Sequence, residues 1–290
     1  MAVAAPKEDD RGRPVVLLVH GRGMIDRDTS VTRKMWFDAI SSGAGTINGA
    51  RLYSDRDVRV VWYADVLDPR STAGCDYKSG DARGRRSAMD PELKEVVSTA
   101  GSILSAITAL VDDSGAVGQL RSLSADAAFL TDARKRCAAE RRLGEAIDRA
   151  HLEGRPVIVI GHSLGAVVAY DYLSARGDTG LVEQLITIGS PVGAPDLRRL
   201  LIGGDGTDTL TRPASVKRWT NIRNGNDIFA APIAVGRDIL TDSPNDEPDP
   251  HEMVGYLRGS ATNAEVAADW CAAFTIKAPS ACGSVRRPPS

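Results

Sequence analysis

Aromatic side chains are scarce in this chain, 5% of 290 residues, and long apolar runs are missing. The first shortage means that a core has to be filled by Ala, Val, Leu and Ile, for which 42% hydrophobic residues are ample. The second argues against a membrane-spanning helix, because no run reaches the roughly 18 apolar residues that one needs. Residues 1–13 also lack the apolar centre of a secretory signal and read as a flexible polar arm. No long basic block is present, and 36 basic against 38 acidic residues leave a formal net charge of -2, so nucleic-acid binding has no support. Cysteine is confined to Cys75, Cys137, Cys271 and Cys282, widely spaced and without a metal-ligand pattern. An even count permits disulfides without requiring them. The resulting expectation is a cytoplasmic protein with reduced thiols.

What is present centres on residues 157–172, V-I-V-I-G-H-S-L-G-A-V-V-A-Y-D-Y. Four β-branched residues, 157–160, are apolar on both faces of a strand, as in a central parallel strand covered by helices. Leu164, Val167, Val168 and Tyr172 then recur at helical spacing, so strand passes into helix within a few residues. Gly161 and Gly165 flank Ser163 where a side chain would strike the opposite limb of the turn. Ser163 is left at the tip, with the partly positive first N–H groups of the helix directed at whatever its hydroxyl attacks. The G-x-S-x-G spacing alone is weak, and the flanking strand and helix make it specific.

The residues G-H-S-L-G-A, together with V-L-L-V-H-G-R-G upstream, resemble the nucleophile elbow and oxyanion loop of the α/β-hydrolase superfamily, on its serine esterase and lipase-like side. The resemblance runs from about Val15 to Phe274 with an unmatched middle, and it speaks to fold and reaction type far more than to substrate. It implies a doubly wound, mostly parallel α/β sheet with helices on both faces. It also implies that the backbone N–H groups of Arg22 and Leu164 form the oxyanion hole, and that the triad acid stands in the loop after a late strand, where Asp227 matches. Asp227 also sits in turn composition, N-G-N-D, and Asp196, after the preceding strand, is the fallback acid. Of the four histidines, His20 lies in the oxyanion loop and reads as a brace, His162 is inside the elbow, and His151 precedes the nucleophile. His251 is left as the base, completing the order Ser163, Asp227, His251 that this fold requires.

Elsewhere, Val15–Val19 reads as a second central strand, Thr29 or Ser30 as the cap of a helix with Met35, Trp36, Ala39 and Ile40 on one face, and residues 58–63 as a strand nearer an edge. Residues 134–151 form an amphipathic helix with His151 at its C-terminal end. Strands are expected over 185–188, 216–222 and 238–240, and Thr262 to Glu265 reads as a capping box starting a last helix. Residues 68–131 form an insertion. Within it, 96–111 has helical spacing, with Ile103, Leu104 and Ile107 as pocket or lid candidates; the segment is either a cap over the site or a helix packed on the body. Residues 278–290 read as a disordered tail, leaving one domain over 14–277.

These readings lead to a serine hydrolase that cleaves carboxylic esters, with lipid or thioester substrates included, using no metal and no cofactor. Its partner is a small-molecule or lipid ester, with transient lipid-surface contact through the lid. An acyltransferase or amidase using the same residues, or a non-catalytic binding module on this fold, are the alternatives.

Overall fold

A computed structural model describes residues 10–47, 49–77, 129–130, 132–194, 197, 201, 210–241 and 249–286. The lid candidates Ile103, Leu104 and Ile107, and the fallback acid Asp196, lie outside them.

The strands are β1 (Val15–Val19), the two-residue β2 (Thr46–Ile47) and β3 (Ala50–Arg51), β4 (Val58–Val61), β5 (Val157–His162), β6 (Val182–Ile188), β7 (Val216–Asn224) and β8 (Arg237–Thr241). β2 and β3 pair only with each other, antiparallel. The other six form one sheet in the order β4-β1-β5-β6-β7-β8, with every pairing parallel. β1 and β5 are buried along their whole length, as their unbroken apolar runs require. The edge position expected for residues 58–63 holds for β4, although the strand stops at Val61 because Tyr63 turns to stack on His20.

The described α-helices are α1 (Thr29–Ile40), α2 (Ala64–Leu67), α3 (Ala133–Leu152), α4 (Leu164–Ser174), α5 (Met253–Arg258) and α6 (Ser260–Ala272). Alternate residues of the central strands feed two cores. Val15, Leu17, Val19, Val157 and Val159 pack with Leu143 and Ile147 of α3 and Val167 and Val168 of α4. Val16, Leu18, Ile158 and Ile160 pack on the other face with Trp36 and Ile40 of α1, Leu257 of α5 and Trp270 of α6. This is an α/β architecture with helices on both faces of a parallel sheet.

Several local readings change. The cap of α1 is Asp28, whose carboxylate accepts from the N–H groups of Ser30 at 2.8 Å and Val31 at 3.0 Å; a carboxylate is a stronger acceptor there than either hydroxyl. The Thr262–Glu265 capping box does not form. α6 starts earlier, after Gly259, and Thr262, Asn263 and Glu265 are buried inside it. Asn263 donates to the carbonyls of Leu257 and Gly259, and Glu265 pairs with Arg237 of β8.

The expectation of reduced thiols is overturned. Cys75 is bonded to Cys137 and Cys271 to Cys282, with Cα–Cα separations of 5.5 and 5.4 Å, and no free cysteine is left. Disulfides persist in oxidising compartments, so the reduced-thiol part of the expectation does not hold. The second bridge also corrects the tail. Ser280–Ser284, within the stretch expected to be a disordered tail, forms a 3-10 turn held on α6 by Cys282. Among the described residues no helix is long and apolar enough to cross a membrane.

Candidate active site

The chain runs from β1 to β4 on one side of the sheet and returns to β5 on the other, so the strand order reverses between β1 and β5. In an open parallel sheet the crevice beyond the carboxyl ends of such a pair is where ligands bind. His20-Gly21-Arg22 follows β1 there, and Ser163 follows β5.

Ser163 has φ 50° and ψ -122°, and no other non-glycine residue described has a positive φ. That conformation costs of order 1–3 kcal/mol and persists only where the surroundings enforce it. The enforcement is steric. A Cβ at Gly161 would lie 2.6 Å from Cα of Ala166, and one at Gly165 would lie 2.3 Å from the carbonyl oxygens of both Val19 and His20. Gly161 therefore does clear the opposite limb of the turn, whereas Gly165 clears the end of the neighbouring strand β1, a contact that sequence spacing does not reveal. Gly21 brings the loop after β1 against the serine, since a Cβ there would stand 3.0 Å from Ser163 Cβ and 2.8 Å from His162 Nδ1.

Ser163, His251 and Asp227 form one hydrogen-bonded chain. Ser163 Oγ is 2.9 Å from His251 Nε2, and His251 Nδ1 is 2.8 Å from Asp227 Oδ2. With the carboxylate ionised, Nδ1 carries the proton and Nε2 accepts from the serine hydroxyl. Ser163 and Asp227 are both buried. Burial pushes the Asp227 carboxyl up, but hydrogen bonds from His251, Tyr256 and the Phe229 N–H, with the charge of His251, outweigh it and leave the group below its ordinary value. The turn reading of Asp227 is satisfied by the same side chain: Oδ1 accepts the Phe229 N–H at 2.9 Å while Oδ2 faces His251.

His20 is placed as a brace. Its Nδ1–H donates to the Gly21 carbonyl at 2.7 Å, its Nε2 accepts the Tyr63 N–H at 3.1 Å, and its ring stacks on Tyr63 at 4.1 Å. Burial lowers its pKa to about 4. His162 donates from Nε2 to the backbone carbonyl of His251 at 2.7 Å, tying the elbow to the loop that carries His251. Burial first, then the neighbouring His251, lowers it to about 3. His151 lies in the last turn of α3, as expected.

Three residues at the site were not foreseen. Tyr256 donates to Asp227 Oδ2 at 2.7 Å. The Phe229 ring lies 4.8 Å from the His251 ring, and the guanidinium of Arg22 stands 4.7 Å from the Phe229 centroid. Ile228, next to Phe229, is exposed. No spacing signal marks them; Tyr256 lies on α5, a helix too short to show a period. Among the described residues no group of three His, Cys, Asp or Glu side chains is placed to hold a metal ion.

Residues 99–200 match the model of a family described as a protein of unknown function, DUF726. The similarity covers residues 99–131, α3, β5, the Ser163 turn, α4 and β6, and leaves Asp227 and His251 beyond it. No curated protein matches the chain.

Proposed function

We propose that the protein is a serine hydrolase of the α/β-hydrolase type that cleaves carboxylic esters through an acyl-enzyme on Ser163. The observation that carries the reading is the continuous Ser163–His251–Asp227 hydrogen-bonded chain, ending on a serine held at positive φ beyond a buried central strand. In this reading His251 takes the Ser163 proton as Oγ attacks the ester carbonyl carbon, and Asp227 holds the imidazole tautomer and steadies its positive charge. The oxyanion is held by the N–H of Leu164, a first-turn donor with no intrahelical acceptor, and by that of Arg22 in the loop that Gly21 sets against the serine. Protonated His251 then gives its proton to the leaving alkoxide. Water, deprotonated by the same imidazole, attacks the acyl carbon, releasing the acid and regenerating Ser163.

The Phe229 ring offers an apolar surface beside His251, which favours an apolar acyl or leaving group over a charged one. A serine-directed phosphonate is expected to label the folded protein once, and labelling is expected to disappear in Ser163→Ala. Intact protein without label, or label that persists in Ser163→Ala, sinks the reading.

A further inference from the structure

Chain order supplies a nucleophile, an acid and a base, and asks for nothing at position 256. Yet the Tyr256 hydroxyl meets the same oxygen, Oδ2 of Asp227, that accepts His251 Nδ1–H, at 2.7 Å against 2.8 Å. The direction of the tyrosine proton is settled by its other neighbour. Asn224 N–H donates to Tyr256 Oη at 2.9 Å, and an N–H cannot accept, so the phenolic proton points to the carboxylate. Burial, and then the charge of Asp227, raise the pKa of the phenol, which therefore stays protonated. Space for the arrangement comes from Gly189 at the end of β6, with φ 53°: a Cβ there would stand 2.9 Å from Tyr256 Cε2 and 3.0 Å from Asp227 Oδ2. Both carboxylate oxygens are thus anchored, Oδ1 by Phe229 N–H and Oδ2 by Tyr256, and the group is held against rotation about its terminal bond.

We propose that Tyr256 is a positioning residue, whose hydroxyl holds Oδ2 of Asp227 against Nδ1 of His251 and takes up part of the negative charge on that oxygen. The inference rests on the hydrolase reading above. α5 begins just after His251, so the helix that delivers the tyrosine to the acid also follows directly from the loop of the base. Besides Asp227, His251 faces Ser163, the His162 ring at 4.9 Å and Phe229 at 4.8 Å, and its own N–H donates to Asp249 Oδ1 at 2.8 Å. His162, with its pKa lowered to about 3, is neutral over the working range; Asp227 is hydrogen-bonded to the His251 ring, while the Asp249 carboxylate sits on the His251 backbone N–H and the Arg22 guanidinium lies beyond Phe229. A change in the bonding of Asp227 is therefore read directly in the titration of the site.

The test compares wild type, Tyr256→Phe and Ser163→Ala for phosphonate labelling and for hydrolysis of a short generic acyl ester across pH. Tyr256→Phe keeps the ring and removes only the donor. It is expected to label, with KM within about twofold of wild type and kcat about tenfold lower, the loss that one hydrogen bond to a charged group would bring. The acid limb of its kcat/KM profile moves to higher pH, because a carboxylate that has lost a donor holds the imidazolium proton more strongly. In an Asp227→Asn background the same change lowers kcat no further. An unchanged kcat, or a drop in stability with the acid limb unmoved, overturns the proposal. Where Tyr256→Phe does not fold, the wild-type chain made with 3-fluorotyrosine, a stronger donor, is expected to move the acid limb to lower pH, and an unmoved limb overturns it. Absence of labelling in wild type, or labelling that survives Ser163→Ala, overturns the hydrolase reading and the positioning role with it, an outcome distinct from a labelled wild type beside an unaltered Tyr256→Phe.

Discussion

Ser163 is reachable by His251 because its backbone is strained. At φ 50° the side chain leaves the turn towards His251, and the two glycines flanking it let α4 and β1 close in where a Cβ would clash. Asp227→Asn is expected to lower kcat by about 10⁴-fold, since an amide in place of the carboxylate favours the wrong imidazole tautomer; Asp196→Asn is expected to change kcat little. Steady-state kinetics on a generic ester separates the two, and the opposite ranking would move the acid to Asp196. The buried histidines set a second expectation. His20 and His162 fall from 6.5 to about 4 and about 3, so both are held neutral in the fold and take up protons on unfolding. Their depressed values mean that the stability they contribute is complete above the unfolded value of 6.5 and is lost as the pH falls from there towards 4 and then 3. Asp227, also depressed, adds to the loss in the same direction at lower pH. Melting temperatures taken at intervals from pH 7.5 to about pH 4 should fall progressively below 6.5; a flat profile would contradict the burial of these rings in neutral form.

Among the elements, β1, β5 and α4 act as one unit. Gly165, in the first turn of α4, rests on the carbonyls of Val19 and His20, so the helix can approach β1 only with hydrogen in place of a side chain. Gly165→Ala is expected to cost about 3 kcal/mol or more, at the upper end for overpacking because the obstacle is backbone. Urea unfolding measures the loss, and a cost under about 1 kcal/mol would mean that the helix can tilt away. At the opposite end of these strands, Arg155 is fully buried and holds three strand starts together. It donates to the carbonyls of Arg13 at 2.9 Å, Pro14 at 2.7 Å and Arg56 at 3.1 Å, and to Asp57 Oδ1 at 2.6 Å. Arg13 donates to both oxygens of Asp57, to Oδ1 at 2.7 Å and to Oδ2 at 2.6 Å. The helix and strand periods were legible because they repeat within one element. The Arg155 network was not, since Arg155 and Asp57 are 98 residues apart and nothing local distinguishes a buried arginine from a surface one.

For the whole molecule the same limit applies to the disulfides. Cys75–Cys137 bridges a sequence separation of 62 residues and joins the segment after α2 to α3, the helix that leads into β5. Cys271–Cys282 ties the tail to α6 across 11 residues. Loop-closure entropy predicts that losing the first bridge in a Cys75→Ser, Cys137→Ser variant costs about 4 kcal/mol, against about 3 kcal/mol for the second. Denaturant midpoints rank the two, and alkylation of the unfolded, unreduced chain should find no free thiol; four alkylated cysteines would refute both bridges.

Local pattern determined the strands and helices of a parallel α/β class and the Ser163 turn, because strand and helix periods and sharp turns leave their mark within a few residues of sequence, whereas the candidates Asp227 and His251 came from the family resemblance and the chain order it implies. Only the tertiary structure decided what touches what: that His251 stands between Ser163 and Asp227, that Tyr256 shares Asp227 Oδ2, that Gly165 clears β1 and not its own strand, and that the cysteines are paired. Each of these is a contact between segments distant along the chain. Such contacts are set by the packing of two cores on one sheet, and a linear sequence carries no period for them.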